Sequence, residues 1–161
     1  EPGELGEEIY SLTQERSIPL RVIRSQTQYD LSSGGKITLY PPLGQGESNE
    51  EGLTCLVSSG EFNTLITGDM GQDVEQILLT RSQLPQVEVL VAGHHGSAGA
   101  TSQALLDQVQ PLFALISVGE NNTYGHPAQE TLERLAGGGA MIYRTDLYGS
   151  VTIRWDGEPK T

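Results

Sequence analysis

The chain has 161 residues, which is enough for one domain with a substantial buried core. Its 21 acidic residues against 9 basic ones give a formal net charge of −12, which excludes a general basic surface for nucleic acid. The single cysteine excludes an internal disulfide and a thiolate-rich zinc site, and we expect Cys55 to be an inert buried thiol.

The first half of the sequence predicts one helix followed by short strands. Apolar residues recur at helical spacing over residues 4–16, with glutamates between them. Strands are predicted at residues 20–23, 36–40, 53–57 and 62–66. The last two form a predicted β-hairpin, and the Pro- and Gly-rich residues 41–52 predict a loop.

From Asp69 onward, the pattern alternates between helix and strand. Helices are predicted around residues 74–84, 105–109 and 127–135, the last with Pro127 in its first turn. Strands are predicted at residues 87–91, 113–118, 141–144 and 151–155. This order predicts an α/β fold in which helices cover a mixed sheet.

Side chains that can bind a metal or transfer a proton follow three of the predicted strands. Asp69, the pair His94-His95 and His126 each lie in a turn between an apolar run and a helix. Because the carboxyl ends of parallel strands meet at one edge of a sheet, we expect these four side chains to converge there. One carboxylate and two or three imidazoles suit a metal-assisted hydrolase, and Asp146 after a later strand is a further candidate polar group.

Two of these residues have an ordinary structural alternative. Asp69 is placed to cap a helix N-terminus as well as to bind a metal. His126 precedes a helix start, where it could hold a phosphate or donate a proton, or be a simple turn residue. His94 and His95 fit a core poorly, and neutral imidazole is a good ligand for zinc, manganese or iron.

The order of these motifs resembles the metallo-β-lactamase-like domain at the C-terminal end of ComEC-type competence DNA-uptake proteins. The segments that carry the likeness are Leu65–Asp69, Val91–Ser97, Ile116–Asn121, Tyr124–Pro127 and Tyr143–Asp146, together with Ser48-Asn49 before residues 53–57. The likeness extends over residues 43–155, within a single domain spanning residues 1–161.

This resemblance implies an αββα sandwich that hydrolyses phosphodiesters, with single-stranded DNA or another phosphodiester as the substrate and zinc or manganese as the cofactor. By the same likeness, Asp69 is a bridging metal ligand and His95 is the late ligand histidine. His94 is a second candidate for the metal or for catalysis. His126 faces the substrate as a catalytic residue.

One element of the family pattern is absent. The early H-x-H-x-D-H-like motif is missing, and no histidine precedes Asp69. The chain therefore resembles the second half of such a domain. We expect this half to hold little or no metal and to be inactive alone. We also expect an exposed apolar patch, or self-association, at the sheet face that the missing N-terminal half would cover. Two alternatives stay open: a catalytically inactive interaction or regulatory module, and a hydrolase of a small phosphoester, lactone or thioester.

The sequence also predicts where the chain belongs in the cell. No apolar run reaches the roughly 20 residues that span a bilayer, and no signal peptide is visible, so we expect a soluble chain. The first residue, Glu1, is not an initiator Met, which favours a piece of a longer polypeptide. The resemblance implies a soluble domain of a bacterial membrane protein, on its extracytoplasmic side.

Overall fold

A seven-stranded sheet organises residues 4–44 and 52–156, the residues that this computed structural model describes. The predicted motif Ser48-Asn49 lies outside the described residues. In chain order the elements are α1 (Glu4–Glu15), β1 (Thr27–Asp30), β2 (Lys36–Tyr40), β3 (Thr54–Ser59), β4 (Phe62–Ile66), α2 (Gln72–Arg81), β5 (Val89–Val91), a 3₁₀ turn (Gly93–Gly96), α3 (Gln103–Val109), β6 (Phe113–Ile116), α4 (Gln129–Gly137), β7 (Met141–Arg144) and α5 (Thr145–Tyr148). None of the described helices is long and apolar enough to cross a membrane.

The order of the strands in the sheet is the same as their order in the chain. Strands β1 to β4 pair antiparallel, and β4 to β7 pair parallel. Helices α2, α3 and α4 connect the parallel strands, and right-handed crossovers that always step in one direction place all three on the same face. The sequence prediction of an α/β fold with a mixed sheet is therefore confirmed, with the three crossover helices on a single face.

The core lies between the sheet and these helices. Leu56, Leu65, Leu90 and Ala114 stand in register across four strands, and all four are buried. They belong to one apolar cluster with residues of the crossover helices, among them Leu78, Leu105 and Leu135. Burial of this apolar row against the helices is the main force that holds the sheet and helices together.

The opposite face of the sheet, which we call the open face, is apolar but only partly covered. Its central row runs in register across six strands through Leu39, Cys55, Ile66, Val91, Leu115 and Tyr143. None of these six is fully buried, and Ile66 keeps 37% of its surface exposed. The expectation of a buried Cys55 is therefore wrong: the residue is half-buried, because its strand face lacks a packing layer.

The predicted strand at residues 151–155 is wrong. Val151 borders a small cavity on the open face together with Val91, Leu115 and Tyr143. Trp155 packs against Phe62 of β4. Half-buried and exposed residues alternate along the segment, as they would in a strand. Because the segment crosses the face rather than an edge of the sheet, its backbone has no strand partner among the described residues.

Two further predictions needed correction, and one helix was missed. Residues 20–23 form no strand, and Leu20 and Val22 are exposed. The edge strand is β1, which pairs with β2. The turn between them is closed by a hydrogen bond from the Leu31 N–H to the Gly35 carbonyl (2.8 Å). Helix α4 begins at Gln129, so Pro127 lies before its first turn. The short helix α5 was not predicted at all.

Candidate functional site

The His94-His95 turn has an unusual backbone. His94 (φ 48°), His95 (φ 55°) and Gly96 (φ 83°) follow one another in the left-handed region. For a non-glycine residue this conformation costs on the order of 1–3 kcal/mol and persists only where the surroundings impose it. Here the His94 N–H donates to the Gly68 carbonyl (3.0 Å), and the Ser97 N–H donates to the His94 carbonyl (2.9 Å).

The His95 ring is fixed by one hydrogen bond. Its Nδ1 lies 2.7 Å from the carbonyl oxygen of Ser117, at the end of the neighbouring strand. A carbonyl can only accept, so Nδ1 carries the proton and Nε2 keeps its lone pair in the neutral ring. The side chain is exposed, which leaves Nε2 free to bind a metal or to accept a proton.

The other two histidines lie beside it. The His94 ring centroid is 6.4 Å from that of His95 and 5.7 Å from that of His126. Tyr124 stacks on His126 at a centroid distance of 5.9 Å, with 18° between the ring planes. Asn122 shapes this loop: its Oδ1 accepts the His126 N–H (3.0 Å), and its Nδ2 donates to the His126 carbonyl (2.8 Å).

A cavity of about 410 Å³ lies at the carboxyl ends of β5, β6 and β7. The lining residues are His95, Ser117, Val118, Gly119, Asn122, Tyr124, His126 and Thr145. Asp69 and His94 are not among them. The structure thus brings His95 and His126 to one cavity, with His94 adjacent to both rings.

Asp69 lies in the turn between β4 and α2 and is half-buried. It does not cap the helix, since the N-cap residue is Gly71 and no side chain takes that role. Within the described parts of the chain, its carboxylate makes no hydrogen bond or ion pair. The helix-cap alternative is therefore excluded, and the carboxylate is available for another partner.

The expected metal can be tested against the donors present. Across residues 4–44 and 52–156, no three His, Cys, Asp or Glu side chains come together in a way that could hold a metal ion. Asp69 and His95 offer suitable donor atoms, but a catalytic zinc takes three protein ligands. The donor types fit a metal and their number does not, so the described residues do not form a complete metal centre.

The polar residue after β7 that lines the cavity is Thr145 and not Asp146. The Asp146 carboxylate accepts two hydrogen bonds from Arg144, from Nε at 3.0 Å and from the terminal nitrogen at 2.5 Å. These bonds hold the pKa of Asp146 below its usual value. Thr145 instead accepts the Val118 N–H and donates to the Val118 carbonyl, both at 2.8 Å. Its position directly after a strand is the only sequence signal that marked it.

The chain is similar to several curated proteins, although no family model matches it. It is 35% identical over 107 residues to "ComE operon protein 3" of Bacillus subtilis and 36% identical over 107 residues to "Recombination protein 2" of Haemophilus influenzae. It is also 34% identical over 106 residues to "Competence protein ComA" of Neisseria gonorrhoeae. The matches cover 64–66% of this chain but only 13–15% of the relatives. This chain is therefore a homologue of a small part of these much longer proteins.

Proposed function

We propose that this chain is part of a metal-dependent phosphodiesterase domain that acts on DNA during natural competence. The observation that carries the proposal is the pair His95 and His126, which share one cavity where parallel strands end. Similarity to a competence protein and a recombination protein supports DNA as the substrate class. On this proposal the chain is a soluble domain of a bacterial membrane protein, on its extracytoplasmic side.

The metal belongs to the longer protein on this proposal. Asp69 and His95 would contribute donors to zinc or manganese, and residues outside this chain would contribute the others. The cation supplies the positive charge that a chain of net charge −12 lacks for binding a phosphodiester. Without those residues, this chain would bind such a cation weakly.

The remaining roles fall on residues at the cavity. His126 would hold a phosphate oxygen or donate a proton to the leaving oxygen, and His94 would support it from the adjacent ring position. Tyr124 is 82% exposed, with one ring face against His126. Its free face suits stacking on a nucleobase of single-stranded DNA.

Two observations favour a second candidate, a catalytically inactive interaction module. The described residues lack a three-ligand group, and the open face presents half-exposed apolar side chains to a partner. That partner would be the N-terminal half of the domain or a second copy of the chain. The cavity itself does not exclude a small phosphoester or lactone as the substrate.

The deciding experiment uses the natural polypeptide extended upstream of Glu1, compared with the present chain. The extended protein should degrade single-stranded DNA with Mn²⁺ and stop when a chelator is added, whereas the present chain should be inactive. Asp69→Ala and His95→Ala should each lower cleavage by about 10²–10⁴-fold. Ser97→Ala is the control, because its hydroxyl only accepts the Gly99 N–H. Full activity of Asp69→Ala, or cleavage that resists the chelator, would refute the proposal.

A further inference from the structure

A carboxylate with no solvent exposure lies behind the histidine turn. Glu75 of α2 is 0% exposed, and its two oxygens accept the backbone N–H groups of Thr101 (2.6 Å) and Ser102 (2.7 Å). Burial raises the pKa of Glu75, while the hydrogen bonds from Ser102 and Thr101 and the charge of Arg134 lower it. Both oxygens are thus occupied by consecutive backbone donors.

Arg134 of α4 holds the same loop from its carbonyl side. Its guanidinium donates to the carbonyls of Thr101 (3.0 Å), Ala100 (2.9 Å) and Ala98 (3.1 Å). The neighbouring Thr131 hydroxyl donates to the Ser97 carbonyl at 2.8 Å. The loop from residue 97 to residue 102 therefore lies between a carboxylate that accepts its N–H groups and a guanidinium that donates to its carbonyls.

Thr101 links this loop to the histidines. It is fully buried with φ 55°, and its Oγ1 accepts the Gly93 N–H at 3.0 Å. Gly93 directly precedes His94-His95. A role limited to the N-terminus of α3 would account for the hydrogen bond that the N–H of Ser102, the N-cap residue, donates to Glu75. It would not account for the left-handed Thr101 or for its bond to Gly93.

We propose that Glu75 is a positioning residue: through Thr101 it fixes Gly93 and thereby the left-handed turn that aims His95 Nε2 outward. The geometry of the turn is independent of any reaction, whereas its consequence for DNA cleavage rests on the proposed function. Arg134 acts in the same way from the opposite side of the loop.

The first test compares Glu75→Gln with Glu88→Gln in the 161-residue chain. Glu88 is the matched control, because its carboxylate also accepts a backbone N–H, that of Asn63 at 2.6 Å, where β5 begins. The glutamine amide at position 75 places a donor against a backbone donor. Amide exchange of Gly93 should therefore accelerate at least about tenfold in Glu75→Gln and stay unchanged in Glu88→Gln. Equal exchange of Gly93 in both variants would overturn the proposal.

The second test remains decisive if Glu75→Gln does not fold. Thr101→Val keeps the side-chain shape and removes only the acceptor of the Gly93 N–H, whereas Thr101→Ser keeps the hydroxyl. Thr101→Val should accelerate amide exchange of Gly93 and weaken the ¹⁵N NMR signature of protonated His95 Nδ1. Thr101→Ser should keep both at their wild-type values. Wild-type signals in Thr101→Val would contradict the link between the loop and the turn.

Activity of the extended protein separates this inference from the proposed function. Glu75→Gln should lower kcat for DNA cleavage while KM changes little, because the residue does not line the cavity. If the extended wild type cleaves no DNA, the proposed function fails, and exchange and NMR still decide the positioning role. If it cleaves and Glu75→Gln has the wild-type kcat, the positioning role fails alone.

Discussion

Replacing Gly96 by alanine is the sharpest test of how the histidine turn packs. A Cβ at this position would lie 2.6 Å from Cβ of Pro127 and 3.2 Å from Cγ2 of Ile116. Neither neighbour is the flexible end of a long side chain, since one belongs to a proline ring and the other to a β-branched residue in a buried strand. Gly96 also has φ 83°, a conformation that alanine adopts with strain.

The cost can be worked from these two effects. The left-handed conformation costs alanine about 1–2 kcal/mol, and overpacking of a tight contact typically costs about 1–3 kcal/mol. The lower chain entropy of unfolded alanine returns about 0.4–1 kcal/mol. We expect Gly96→Ala to lower the free energy of unfolding by about 1–5 kcal/mol, a large part of the roughly 5–15 kcal/mol typical of a domain.

Urea unfolding measures this directly through the midpoint and the slope. Gly137→Ala is the matched control, because Gly137 ends helix α4 and an added Cβ there meets nothing within 4 Å. That variant should be neutral or stabilised by up to about 1 kcal/mol. If both variants unfold at the same urea concentration, the result would contradict the close approach of Gly96 to Pro127.

Three further results are expected. Trp155 is the only tryptophan and its ring centroid is 5.2 Å from that of Phe62, so Phe62→Ala should shift its fluorescence to longer wavelength, and an unchanged spectrum would contradict the packing of the C-terminal segment. Burial raises the pKa of the Cys55 thiol, so alkylation at pH 7 should be slower than that of a free cysteine and should rise only at higher pH; covering the open face in the extended protein should slow it further. The hydrogen bond from Arg144 lowers the pKa of Asp146, so its contribution to stability should be present at neutral pH and be lost as the pH falls through the folded-state value. Urea unfolding at pH 7 and at acidic pH checks this: the free energy of unfolding should fall less on acidification in Asp146→Asn than in the wild type.

Local patterns predicted the fold where local forces decide it. Helical spacing located α1, α2, α3 and α4, and apolar runs located the parallel strands, because each of these buries a face that its own sequence defines. Alternation misled at residues 151–155, since the same pattern suits an extended segment lying on a sheet face. Whether such a segment joins a ladder depends on a partner strand, which is not a local property.

The site was predictable to a similar degree. The rule that parallel strands end at one edge brought His95 and His126 to the same cavity, and their chemical roles remain predictions. Glu75 was invisible in the sequence, because a glutamate in an amphipathic helix is usually solvated. Its burial depends on Thr101 and Ser102, which lie 26 and 27 residues away.

The agreement between strand order and chain order has a consequence for how the molecule folds. Each strand pairs with its immediate predecessor, so the sheet can grow one strand at a time, although each parallel pairing must wait for its crossover helix. The histidine turn is held by Gly68 before it and by Ser117, 22 residues after it. On a ribosome, the imidazole of His95 would therefore gain its fixed direction only once β6 had emerged and docked.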